Sequence, residues 1–180
     1  MSVSDWRSDV LKFWFGLQPK QWWNGGPELD HRIRQKFLKL WAEKRQLPVE
    51  AFLTDALTAV AAVILFDQLP RNMFRGHADA YSTDHIALAI AKAAVGKDLD
   101  EELQKPERKF LYMPFLHSEH LDDQDRALLL FTKIGDDEQI KYARHHRDVI
   151  ARFGRFPHRN AILGRTPRTD EIAAGDVSPF

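Results

Sequence analysis

The 180-residue chain balances 26 Lys and Arg against 26 Asp and Glu and contains no cysteine. Zero formal charge leaves no global field to steer it towards nucleic acid or anionic membrane, and the missing thiols exclude disulfides and cysteine nucleophiles. Hydrophobic residues at 44% and charged residues at 29% fit a soluble globular chain of one domain, here expected to span 1–180 with a polar, loosely packed tail from about 166.

The first segment sets Trp6, Val10, Phe13 and Trp14 on one helical face and stops at Gly16. Ser2 and Asp5 have capping-box spacing ahead of it, and residues 1–16 lack the small-residue cleavage site of a signal peptide. After a turn at Trp22-Trp23-Asn24-Gly25-Gly26, Pro27 opens a second helix in which Leu29, Ile33, Phe37, Leu40 and Trp41 recur every three or four residues. Every tryptophan lies at or before position 41, which predicts that these two helices pack as an aromatic-rich hairpin.

A third helix, about 49–69, is apolar nearly all round and reads as the central one. Its apolar run, 56–66, carries Thr58 and is too short to span about 30 Å of hydrocarbon. A cytoplasmic location without a membrane span is therefore expected. Pro70 ends or kinks this helix because it has no N–H to donate. Thr83 is a plausible N-cap for a fourth helix that runs through Ile86, Leu88, Ile90 and Val95 to Gly96. Beyond an acidic connection at 98–102, helices are predicted at 106–117, kinked around Pro114, at 121–134 and at 137–153. The last two close on Gly135 and Gly154, and a short piece at 159–163 precedes the tail. No alternating apolar run predicts a strand, so the expected fold is all-α, an array of antiparallel helices.

Polar residues interrupt the apolar stripes. Asp67 follows Leu53, Ala56, Leu57, Val60, Val63 and Ile64, and His146 shares a face with Tyr142, Val149, Ile150 and Phe153. Gln124 lies with Leu121, Leu128 and Phe131, and His117 continues the line of Phe110 and Met113. A buried carboxylate must be paired or neutralised, and two similar connections supply arginines: Pro70-Arg71-Asn72-Met73-Phe74-Arg75-Gly76 and Pro157-His158-Arg159-Asn160-Ala161-Ile162-Leu163-Gly164-Arg165. The guanidinium fork can staple helix ends together by bridging a carboxylate and nearby carbonyls. Asp67, Arg71, Arg75, Arg155 and Arg159 then form a purely structural network. Alternatively Asp67, Arg71, Arg75, Gln124, Arg147, Arg155, Arg159 and Asn160 line a site for a small anion. In that reading His117 or His146 handles a proton, with Glu119 or Asp148 orienting it.

Other chemistries find little support. His117, Glu119 and His120 do not make a zincin or di-iron spacing, so no metal or cofactor is predicted. Neither a Gly-x-Ser-x-Gly elbow nor a phosphate-cradling glycine loop occurs. Seven arginines face one acid, Asp148, between positions 144 and 168, but internal pairing with the acidic clusters is the expected use, not nucleic-acid binding.

Longer motifs carry a resemblance. Leu65-Phe66-Asp67-Gln68-Leu69-Pro70-Arg71-Asn72-Met73-Phe74-Arg75-Gly76, Phe110-Leu111-Tyr112-Met113-Pro114 with His117-Ser118-Glu119, and His146-Arg147-Asp148 through Gly154-Arg155-Phe156-Pro157-His158-Arg159-Asn160 resemble the bacterial domain-of-unknown-function 924 family. Val10-Leu11-Lys12-Phe13-Trp14-Phe15-Gly16 resembles it as well. The resemblance implies an all-α, tetratricopeptide-repeat-like helical array and implies no activity. Three functions remain open: a binding protein for a small anionic ligand, a helical scaffold for a protein partner, and a hydrolase or lyase with a histidine base.

Overall fold

The structure, a computed structural model, describes residues 5–179, and every regular element among them is helical. The chain divides into two compact units, residues 1–111 and 112–180. Ser2, half of the predicted capping box, lies outside the described residues. Asp5 caps α1 (Trp6–Phe15) by accepting the Arg7 N–H.

The N-terminal unit is built around α4 (Ala56–Val63) and the π-helical turn Ile64–Gln68 that continues it. Every residue from Ala59 to Pro70 is buried, which confirms a central segment. Its ends differ from the sequence expectation. Val49–Phe52 is a separate 3-10 turn, and α4 starts only after Asp55 accepts the Thr58 N–H. Leu57, expected on the apolar stripe, is exposed.

Around this centre, α1 packs on α4, while α6 (Asp84–Gly96) packs on α4 and the π turn. The helix α3 (Gly26–Lys44) packs on α5 (Leu69–Met73) and buries Leu29, Ile33, Phe37 and Trp41. The predicted aromatic hairpin is not the organising contact. Phe13 meets Phe37 edge-on at 5.1 Å, but Trp6, Trp14 and Trp41 face Phe52, Phe110 and Phe74. The expected turn at Trp22-Trp23 is instead a short helix, α2 (Pro19–Asn24). Pro19 presets its first turn, and the Gln21 side chain accepts the Gln18 N–H at 2.8 Å.

Pro70 does not end the helix; α5 runs on to Met73. A proline lacks an N–H and crowds the carbonyl four residues back, here that of Phe66. The chain accommodates it by widening to a π turn in which the Leu69 N–H reaches Ile64 O. Phe66 O then accepts the Thr83 hydroxyl at 2.7 Å, and Thr83 Oγ1 accepts the Trp41 indole N–H at 3.1 Å. Thr83 does stand at the N-cap position of α6, yet its side chain caps nothing there. Thr83→Val, which keeps the shape and removes the hydroxyl, strands two buried polar groups. We expect it to lower stability by about 2–4 kcal/mol, read as a lower urea midpoint at unchanged slope.

The C-terminal unit holds the end of α7 (Lys105–His117), then α8 (Leu121–Ile134) and α9 (Asp137–Phe153). Helix α7 continues through Pro114. The α8–α9 hairpin turns at Gly135, whose φ of 65° is the left-handed value glycine tolerates. Asp136 then caps α9 by accepting the Gln139 N–H. Leu121 is exposed, and the buried face of α8 is Asp123, Gln124, Ala127, Leu130 and Phe131. Beyond a 3-10 turn at Pro157–Arg159 come α10 (Asn160–Leu163) and α11 (Thr169–Ala174), with Glu171 buried. The sequence reading placed no helix after 163. No helix among the described residues is long and apolar enough to cross a membrane.

Candidate functional site

In the N-terminal unit the predicted ligands Asp67, Arg71 and Arg75 form ion pairs. Asp67, fully buried on the π turn, accepts from the Gln68 amide at 2.7 Å and lies 3.6 Å from Arg71. Arg71 also donates to Asp67 O and grips both oxygens of Asp84 at 2.8 and 3.0 Å. Burial works against the guanidinium charge, but Asp84 and Asp67 outweigh it and hold Arg71 charged more firmly than usual. Arg75 forks onto Asp30, which Asn72 also reaches. Burial raises the Asp30 carboxyl, and Arg75 with Asn72 more than reverses this. Every arginine of the Pro70–Gly76 connection thus faces a carboxylate.

The connection from Pro157 to Arg165 is arranged differently. Its centre is Phe156, fully buried in the C-terminal unit. The Arg159 guanidinium carbon lies 4.7 Å from the Phe156 ring centre, with the His146 and His158 rings at 5.5 and 5.6 Å. Arg159 Nη2 donates to His117 O at 3.1 Å. His146 and Arg159 are buried, whereas His117 and His158 keep part of their surface in water. Two imidazoles from α9 and the 3-10 turn and the Arg159 guanidinium therefore gather on Phe156, with His117 at the end of α7 close enough to act electrostatically on both rings.

Electrostatics at this cluster favour the neutral forms of His146 and His158. Burial, then the proximity of His117, Arg159 and His158, pushes His146 down to about 3, although its bond to Tyr142 O acts the other way. That bond, 2.8 Å from Nδ1, places the ring proton on Nδ1 because a carbonyl can only accept. Burial and Arg159 push His158 down to about 4, with Arg165 and His117 adding to the effect and Glu119 opposing it. Glu119 itself is held by Arg165, at 2.8 to 3.1 Å, and by the Phe156 N–H at 2.8 Å. Burial raises its carboxyl, but Arg165, the Phe156 N–H and Arg159 keep it below the usual range. Arg159 and Arg165 both act on the Glu119 carboxylate.

Arg155 and Asn160 form a supporting layer. Both bind Glu171, which also takes the Arg168 N–H. The Arg155 hydrogen bond is the main cause of the Glu171 carboxyl falling to about 2. This layer fixes the Arg155–Arg168 segment that carries the cluster.

Of the candidates read from sequence, the structure brings His117, His146, Glu119 and Arg159 together, with Arg155 and Asn160 beside them. It does not place Arg147 or Gln124 in the cluster. Arg147 pairs with Asp125 at the surface. The Gln124 amide donates to the carbonyls of Phe115, Leu116 and Ser118, which close the end of α7. Glu119 does not orient a histidine, since its oxygens serve Arg165 and the Phe156 N–H, and Tyr142 O takes that role for His146. The apolar face of His146 is also revised: Tyr142 is exposed, and Gln139, Ala143, Ile150 and Phe153 are the buried residues. Sequence reasoning missed His158, Phe156 and Arg165 as members. His158 stands inside the quoted Pro157–Arg165 motif, and its place beside Arg159 was the available signal. No group of three or more His, Asp or Glu among the described residues is arranged to hold a metal ion.

The model of a bacterial protein family of unknown function, DUF924, matches residues 10–174. The chain is similar to the solved structure of a protein of unknown function from Agrobacterium tumefaciens, at 34% identity and a TM-score of 0.85, covering 93% of this chain and 95% of that one. No curated protein matches.

Proposed function

The chain belongs to the DUF924 family of bacterial proteins of unknown function, and we propose that it binds a small anion at the cluster of His117, His146, His158 and Arg159. The convergence of His146, His158 and Arg159 on buried Phe156, with Arg159 tied to the His117 carbonyl, carries the reading. Arg159 supplies charge and a planar fork suited to oxyanions, and His158 beside it can add an imidazole N–H, while His146 keeps its Nδ1–H on Tyr142 O. Glu171, Arg155 and Asn160 hold the segment in place. Binding is favoured over catalysis by His146, since a base that titrates at about 3 is far from the value useful near neutral pH.

A thermal-shift screen with phosphate, sulfate and small carboxylates tests this. At about a hundredfold excess over Kd, a bound anion adds about 2.7 kcal/mol, a rise of roughly 5–10 °C at this chain length. Arg159→Met keeps the apolar stem over Phe156 and should abolish the rise. His158→Asn, at a part-exposed position, should weaken it if Arg159→Met fails to fold. A flat response of the native chain to every anion overturns the reading.

A further inference from the structure

We infer that anion binding at this cluster is coupled to proton uptake, so that the ligand is held more tightly as pH falls and is released as it rises. The inference rests on the anion-binding reading above and concerns the regulation of that same site. Its basis is the packing of the His146 and His158 rings and the Arg159 guanidinium around one buried ring, with Arg159 also bonded to His117 O.

The charged and titratable neighbours come from every surrounding element. His117 lies at the end of α7, Glu119 follows it, His146 is on α9, His158 and Arg159 share the 3-10 turn, and Arg165 follows α10. In the free protein the cations and the burial keep His146 and His158 neutral. An anion beside Arg159 changes that balance. Its negative charge offsets the guanidinium and favours an imidazolium within hydrogen-bonding reach. A neutral imidazole offers one N–H and a protonated one offers two, so protonation also adds a donor for the ligand. His158 is the main candidate, because it is less buried than His146 and Glu119 already favours its charged form.

Linkage fixes the sign. Binding raises the imidazole pKa, so affinity is flat above the bound value and rises up to roughly tenfold per pH unit below it. The gain ends near the free value of about 4 for His158. A carboxylate or phosphate ligand would meet the same coupling, and the ligand's own titration must be kept out of the test. Sulfate is the suitable probe because it does not titrate over this range.

The experiment is calorimetric titration of sulfate into the full chain at about pH 4.5, 5.5 and 7.5, a range that starts just above the free His158 value of about 4, in buffers of different ionisation enthalpy. The expected result is tighter binding at lower pH, with close to one proton taken up per sulfate. His158→Gln should reduce both the pH slope and the proton count. Sulfate binding that depends on Arg159 but shows no pH slope and no proton uptake overturns the coupling and leaves the binding reading standing. Absence of sulfate binding at every pH overturns the coupling, and a flat response to phosphate and small carboxylates as well overturns the binding reading.

Discussion

Arg71→Ala is expected to lower folding stability by about 3–5 kcal/mol, because removing one member of a buried ion pair strands its partner. The partner is Asp67, which has no exposed surface, and Asp84 loses its bidentate clamp at the same time. Asp67 O also loses a donor. A double-mutant cycle with Asp67→Asn separates the charge effect from lost packing of the arginine stem. The double variant should be more stable than the two single losses add up to, with a coupling of about 1–3 kcal/mol. Chemical denaturation of the four proteins measures this. A loss below about 1 kcal/mol for Arg71→Ala would remove the structural assignment of the N-terminal network. Arg71→Lys should recover only part of the loss, since an ammonium cannot grip both Asp84 oxygens as the fork does.

Acid sensitivity should be the second large effect. His146 and His158 have folded values of about 3 and about 4, below the unfolded value near 6.5. Between the two states' values the unfolded chain binds more protons, so stability falls as pH falls through that window. Each histidine can contribute up to about 1.4 kcal/mol per pH unit, with a smaller share from His158 because water screens its exposed part. Below about 4.5 Glu171 acts in the same direction, since its stabilising bonds are lost as pH drops towards its folded value of about 2. The expected profile is a plateau above about pH 6.5 and a steepening loss below it. His146→Phe should remove one proton's worth of slope while keeping the buried ring contact with Phe156. Within α9 the Tyr142 carbonyl retains its helical partner, so the substitution leaves no new orphan there. Equal slopes in the native and His146→Phe proteins would contradict the assignment of His146 as buried and neutral.

Much of the architecture could be read from the chain. The period of Leu29, Ile33, Phe37 and Trp41 defined the buried face of α3, and the glycines at 135 and 154 marked real helix ends. The departures have local causes. Pro70 is tolerated because a hydroxyl seventeen residues away takes over the Phe66 carbonyl, a compensation that no periodicity reveals. The Trp22-Trp23 turn became α2 through the Gln18–Gln21 bond.

The site was legible in its residue types and illegible in its grouping. The partners of two connections of similar sequence, from Pro70 and from Pro157, could not be read locally because their acids come from distant positions. Asp30 reaches Arg75 across 45 residues, and Glu119 reaches Arg165 across 46. Helical stripes fix which face a side chain occupies but not which other element it meets. Hence Arg71 and Arg75 read as equivalent to Arg159 in the sequence, although the first two fork onto carboxylates and the third lies over the Phe156 ring beside two imidazoles. The missed Phe156 illustrates the same limit: it was part of a motif, and only the fold shows it as the ring on which His146, His158 and Arg159 assemble.

The most direct test of this account follows the histidine ring signals by long-range 15N–1H NMR while inorganic phosphate is titrated into the protein. Saturable shifts at His117, His146 and His158, with His31, His77 and His85 unmoved, are the predicted result. Phosphate that leaves the first three rings unchanged, or moves all eight histidine rings alike without saturation, would contradict it.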